Sequence, residues 1–399
     1  MSLKRRYIEE QYTEKLIHYQ YKGGDKSILY RYVINPLCNF IVNYFPRWLA
    51  PNVITISGWF FNLFNLIITT YYTGWKGGDY IPTWACFTCA LFYTTYIIFD
   101  YSDGKRARRL NASSPLGLLV DHGTDACTTF YVPIVLGSFS YFSNIHQYLL
   151  FYFPISCTFF LNTWEEYYKG ELVLPMINGV AEGTLVIDFL IIISAIWGDS
   201  FYNKKFLIFN KYELKVNEIN CILGLIGGFI FSIKSVIGVL NSIRKEKIKY
   251  AIKDTLIYAL FVITILSVAF WTDSVIAREY PKIIILTFGF QFAKMMGILQ
   301  LSHILGCPYK IYTPVFLIPL FALAIYSTIF HFTGYILLVP IDTLIIITFI
   351  WNVASWAHYV YYCSEEICEI LNINRFSLEK RDSSRPSYEE LKRNKILIV

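Results

Sequence analysis

The 399-residue chain is 55% apolar and only 16% charged, too little polar side chain to clothe a soluble protein of this size, so lipid must cover much of it. The net charge of +6 suits contact with anionic lipid heads on a cytoplasmic leaflet and is too diffuse for a nucleic-acid-binding surface. Nine cysteines lie scattered through apolar segments, which argues for reduced thiols rather than a disulfide framework, and Cys86-x2-Cys89 has no second pair that would complete a zinc site.

In chain order, the start MSLKRRYIEEQYTEK has no apolar stretch ahead of a cleavage site, so we expect no removed signal peptide. From Ser27 to Tyr44, apolar residues Leu29, Tyr32, Val33, Leu37, Phe40, Ile41 and Tyr44 recur at helical intervals. They predict an amphipathic helix lying in the membrane interface, kinked or restarted at Pro36. Pro46, Arg47 and Trp48 mark the water boundary, and Pro51 opens a first span to about Tyr72, with Asn52 and Thr55 one turn apart at its entrance. Further apolar runs lie near 82–99, 116–138, 147–163, 184–198, 220–240, 254–271, 283–306, 312–331 and 341–363.

The expected fold is therefore an all-α polytopic membrane protein of about ten transmembrane helices with an N-terminal interfacial helix. An even count puts both ends on one side. Basic residues in the N-terminal arm, the 100–115 loop, the 241–253 loop and the tail from Arg375 to Lys395 make that side cytoplasmic. The 199–219 loop, with Lys204, Lys205, Lys211 and Lys215, runs against this bias.

Chemistry is concentrated between Asp100 and Asp125, in the pattern Asp100-x2-Asp103-Gly104-x2-Ala107-Arg108-x8-Gly117-x3-Asp121-x3-Asp125. Asp100 and Asp103 share one helix face at the cytoplasmic end of the second span, and Asp121 and Asp125 share one in the next. Ser113 and Ser114 as N-caps and Pro115 in the first turn would fold the two helices into a hairpin. Four carboxylates at the edge of hydrocarbon repel one another unless protons or cations neutralise them. Hard oxygen ligands suit Mg2+, Mn2+ or Ca2+, and a pair of such ions would suit an in-line phosphoryl displacement. Gly104 and Gly117 leave backbone open to a nucleotide or diphosphate, Ala107 keeps the helix close, and Arg108 with Lys105 can pair with phosphate oxygens. A cation transporter using the Asp cluster is the alternative from another class, and it would place its acids at mid-membrane on broken helices.

This pattern resembles the signature of the CDP-alcohol phosphotransferase family at all eight positions. The stretches Tyr21-Lys22-Gly23-Gly24-Asp25-Lys26-Ser27, Trp48 to Thr55, Ser113 to Gly117, Asp121-His122-Gly123 and Trp164-x3-Tyr168-x-Gly170-x-Leu172 are similar to the eukaryotic choline/ethanolamine phosphotransferase branch. The resemblance implies Asp100, Asp103 and Asp121 as metal ligands, Asp125 as ligand or base, and Mg2+ or Mn2+, two ions, as cofactor. It implies transfer of phosphocholine or phosphoethanolamine from CDP-choline or CDP-ethanolamine to diacylglycerol, with release of CMP. Inositol, glycerol phosphate or a sphingoid lipid are the alternative acceptors.

His122, three residues before Asp125, is a second candidate for the base, because an unbound imidazole takes a proton more readily near neutral pH than a metal-bound carboxylate. Glu182 is a candidate to orient or relieve it. Asn52, Thr55, Gly104, Lys105, Ala107, Arg108 and Gly117 are the candidate substrate-binding positions. Glu165 and Glu166 read as solvated loop charges, and Lys294 and His303 as buried polar contacts.

From the same likeness we expect a cytoplasmic arm over 1–45, a catalytic membrane core over 46–240, further membrane helices for lipid access and dimer contacts over 241–365, and a cytoplasmic tail over 366–399. The expected setting is the endoplasmic reticulum or Golgi membrane, with the active site facing the cytosol, in a homodimer among membrane lipids and without nucleic acid.

Overall fold

A computed structural model of the chain describes residues 7–379 apart from 177, 209–211 and 336–337. The end of the expected tail, 380–399, and Lys211 therefore lie outside the described residues. The fold is all-α and built for a membrane. Its helices are α1 (Thr13–Ile17), α2 (Asn35–Ile41), α3 (Pro51–Thr73), α4 (Thr83–Arg109), α5 (Pro115–Phe139), α6 (Ile145–Lys169) and α7 (Ala181–Trp197). They continue with α8 (Asp199–Tyr202), α9 (Val216–Ser242), α10 (Lys245–Trp271), α11 (Val275–Glu279), α12 (Pro281–Leu305), α13 (Pro314–Thr333) and α14 (Ile341–Leu371). Among the described residues four short strands, β1 (Gly23–Asp25), β2 (Leu172–Leu174), β3 (Lys205–Ile208) and β4 (Tyr212–Lys215), form two separate pairs.

Every apolar run read from the sequence becomes one long helix. Six of these are long and apolar enough to cross a membrane: α3, α9, α10, α12, α13 and α14. Of the rest, α4 and α5 carry the polar motif, α6 closes on the charged stretch that holds Glu165, Glu166 and Lys169, and α7 has only 17 residues. Among the described residues, composition therefore supports six crossings and leaves ten as an expectation. Several helices outrun the apolar stretch that announced them, two of them at the site. α4 continues through the whole Asp100–Arg109 segment, and α6 continues six residues past Thr163 to Lys169, where Gly170 in the left-handed region (φ 79°) ends it. The 199–219 segment is not a plain loop: β3 and β4 pair antiparallel, and Lys205 meets Glu213 at 2.8 Å, which offsets part of its positive charge.

Helix α12 is the hub, with 83% of its apolar window buried against 11% for α9. It packs against α5, α6 and α14. The α5 crossing depends on Gly289, where a methyl group would come within 2.7 Å of Phe130 Cβ. Gly289→Ala is therefore expected to lower stability by about 1–3 kcal/mol, read as a lower melting temperature in detergent. Gly224→Ala in α9, with nothing within 4 Å, should leave it unchanged or raise it.

The N-terminal arm is tied down along its length. The Tyr7 and Ile8 amides donate to Glu366 on α14, and Lys15 Nζ donates to the Gly306 carbonyl at 3.1 Å. β1 pairs in parallel with β2, just beyond α6. A continuous helical stretch then runs into α2, with a π turn over Tyr30–Ile34 immediately ahead of Pro36. That is the expected disturbance: a proline without N–H clashes with the preceding turn, and the widened turn absorbs it. Tyr32, Phe40 and Tyr44 are 68%, 59% and 70% exposed, an apolar face turned outward as an interfacial helix requires.

Candidate active site

The site is the α4–α5 hairpin. Residues 110–114 join the helices, Asn111 turns through the left-handed region (φ 52°), and the Ser114 side chain accepts the Gly117 N–H at 3.2 Å to cap α5. This closure sets Asp100 on α4 against Asp121 and Asp125 on α5, and one oxygen from each lies within 4.8 Å of the others. Asp103, one turn along α4, is 7% exposed, and the Thr55 hydroxyl of α3 donates to its Oδ2. Tyr96, four residues before Asp100 on the same face, donates its hydroxyl to Asp125 Oδ1 at 2.8 Å. Its spacing from Asp100 was the one sequence signal that could have revealed it.

The basic residues after Asp103 diverge. Arg108 folds back over Gly104, its guanidinium 3.4 Å from where a Gly104 side chain would begin. Among the described residues it makes no ion pair, which leaves its charge for a ligand. Lys105 was expected on phosphate, but it is 7% exposed, donates to Asn35 Oδ1 and to the Tyr30 hydroxyl at 3.3 Å, and lies over the Tyr30 ring. Five residues past Asp100 is a rotation of about 140°, so Lys105 points at the interfacial helix and anchors it instead. Arg106 and Arg109 do likewise, donating to the Pro46 carbonyl and to Asn43. Ala107 is half-buried, and its carbonyl accepts the Ala112 N–H that closes the turn. At the entrance of α3, the Asn52 amide donates to the Arg375 carbonyl, while its oxygen lies 3.6 Å from where a Gly117 side chain would start.

The proton-handling side differs from expectation. Glu182 does not meet His122: its carboxylate accepts the backbone N–H groups of Leu29 at 3.3 Å and Asn178 at 3.0 Å. In the first turn of α7, it serves the loose amides of its own entry and of the arm. The carboxylate beside His122 is Glu166. Because α6 extends to Lys169, Glu165 turns outward to pair with Lys169 at 2.6 Å, whereas Glu166 turns inward with no exposed side chain. His122 Nδ1 is 4.0 Å from Glu166 Oε2, and His303 Nε2 of α12 is 3.7 Å from Glu166 Oε1. The arm closes over this group. The Tyr19 hydroxyl lies 3.0 Å from His303 Nε2, and burial, then the carboxylates of Glu166 and Asp121, push the Tyr21 phenol above its ordinary value. Lys294 donates to Ser355 and stands apart from the cluster.

Comparison with known proteins gives the family. The family model for CDP-alcohol phosphatidyltransferases matches residues 48–168, which contain the whole hairpin. Choline/ethanolaminephosphotransferase 2 of Arabidopsis thaliana is 30% identical over 314 residues, covering 76% of this chain and 80% of its own length. The chain belongs to the CDP-alcohol phosphatidyltransferase family. Choline/ethanolaminephosphotransferase 1 of Saccharomyces cerevisiae is 27% identical over 80% of this chain and 85% of its own length. Ethanolaminephosphotransferase 1 of Homo sapiens is 28% identical over 96% and 98%. The protein is accordingly a CDP-alcohol phosphotransferase, a membrane enzyme, and these three relatives cover 76–96% of the chain.

Proposed function

We propose that this CDP-alcohol phosphotransferase moves phosphocholine or phosphoethanolamine from CDP-choline or CDP-ethanolamine to the hydroxyl of diacylglycerol and releases CMP. The observation that carries the reading is the convergence of Asp100, Asp121 and Asp125 beside an uncommitted Arg108. The names of the relatives point to the head group. The acid cluster fits divalent ions: Asp100 Oδ1 is buried with no hydrogen-bond partner, and three carboxylates this close need a cation or protons between them. Bound there, Mg2+ or Mn2+ would offset the charge of the donor's diphosphate.

The residues then divide the work. Asp100, Asp121 and Asp125, with Asp103 held by Thr55, keep the donor end of the site in place, and Arg108 pairs with a phosphate oxygen. Asn52 and Gly117 flank the entrance. The lipid hydroxyl gives its proton to His122 or Asp125, its oxygen bonds to the distal phosphorus, and the bond from that phosphorus to the CMP oxygen breaks. A cation transporter would need acids on broken helices, whereas α4 runs unbroken through Asp100 and Asp103. We also infer, from the resemblance, a homodimer in the endoplasmic reticulum or Golgi membrane with the site facing the cytosol.

The test is CMP release by the purified protein in detergent, from each CDP-alcohol, with diacylglycerol present or omitted. Release that requires diacylglycerol supports the reading. Release supported only by inositol, glycerol phosphate or a sphingoid lipid overturns the acceptor assignment.

A further inference from the structure

Glu166 is a carboxylate with no exposed surface, held on the last turn of α6 between two imidazoles contributed by α5 and α12. Neither of its oxygens has a hydrogen-bond partner, and His122 Nδ1 and both amide atoms of Gln300, one turn from His303, are likewise buried and unpartnered. The Gln300 amide lies close enough to act on both His122 and Glu166. Buried polar groups that face one another without well-formed hydrogen bonds are costly, so such a group is kept where its interaction has a use. The group lies close to the acid cluster: the Tyr21 phenol feels the charge of both Glu166 and Asp121, the residue before His122 in α5. Behind it, the Tyr19 hydroxyl secures His303 from the arm.

We propose that Glu166 is a positioning residue for acceptor activation. Its carboxylate accepts the Nδ1–H of His122, which fixes the ring's tautomer and orientation and leaves the Nε2 lone pair to take the proton of the acceptor hydroxyl. With its proton on Nε2, His303 points that N–H at the Tyr19 oxygen, 3.0 Å away, and at the carboxylate, 3.7 Å away, so one donor ties the arm and Glu166 together. At 4.0 and 3.7 Å the His122 and His303 contacts with Glu166 are longer than hydrogen bonds, and they must shorten when the reacting groups are in place, as catalytic hydrogen bonds do on substrate binding. This inference rests on the reading that the protein transfers a phospho-alcohol to a lipid hydroxyl, and within that reading it selects His122 over Asp125 as the base.

The experiment compares Glu166→Gln, Glu166→Asp, Tyr19→Phe and, as a control on the same turn, Glu165→Gln. Each is assayed for kcat and for KM of both substrates, with melting temperature in detergent measured alongside. Glu166→Gln is expected to lower kcat about 100-fold with both KM values within about twofold of wild type. Glu166→Asp should recover part of that loss, Tyr19→Phe should lower kcat several-fold, and Glu165→Gln should match wild type. Wild-type kcat in Glu166→Gln overturns the proposal. So does a loss of kcat that tracks a fall in melting temperature and is not partly restored by aspartate. If Glu166→Gln does not fold, Tyr19→Phe decides, since an unchanged kcat there removes the brace from the scheme. A wild-type protein that releases no CMP with diacylglycerol fails at the level of the function itself, and the inference falls with it.

Discussion

Asp125→Ala is expected to lower turnover about 1000-fold even at saturating Mg2+ or Mn2+. The residue is the point where the hairpin's two helices and its hydrogen bonding meet: its carboxylate closes the cluster with Asp100 and Asp121 and receives the Tyr96 hydroxyl at 2.8 Å. Alanine removes a charge that no neighbour can replace, because Asp103 is occupied by Thr55. Tyr96→Phe, which keeps the carboxylate and removes only one donor to it, should cost about tenfold. The check is steady-state CMP release by purified, monodisperse variants across a metal titration. Normal turnover in Asp125→Ala would remove the hairpin from the chemistry.

Stripping divalent ions is expected to abolish CMP release, and Mg2+ or Mn2+ is expected to restore it. The same titration should raise the melting temperature. Three carboxylates packed within 4.8 Å of one another repel when all are ionised, so an ion that binds only the folded site stabilises it. The gain is about 2.7 kcal/mol once free ion reaches about 100 times its Kd. Asp121→Asn should show a smaller thermal shift over the same concentrations. A melting curve indifferent to metal in the wild type would argue that the cluster is neutralised by protons instead.

The hairpin was legible because its information is local. Asp100, Asp103, Asp121 and Asp125 are set by helical spacing on two neighbouring segments, and Ser114 and Pro115 announce the turn between them. What was missed depends on other helices. Glu166 and the histidine that meets it, His303, come from α6 and α12, and no spacing rule relates their positions along the chain; Thr55 of α3 was singled out, but for substrate rather than as the donor to Asp103. Glu166 was misread for a definite reason: hydropathy falls at Trp164-Glu165-Glu166, so the span seemed to end there, although the helix continues and turns only one of the two acids to water. Lys105 was misassigned because membership of the motif segment was taken for membership of the motif face. Glu182 was singled out for its place just before a span on the cytoplasmic side, and its carboxylate accepts backbone amides instead of meeting His122.

The ties of the arm carry a consequence for biosynthesis. The Tyr7 amide is fixed by Glu366, 359 residues later, while β1 waits for β2 and Tyr19 waits for His303. A chain emerging from the ribosome therefore makes this arm first and its partners one by one, β2 by residue 174, His303 in α12 and Glu366 in α14 last of all. The contact that fixes Tyr7 is thus the final one of these that synthesis makes possible.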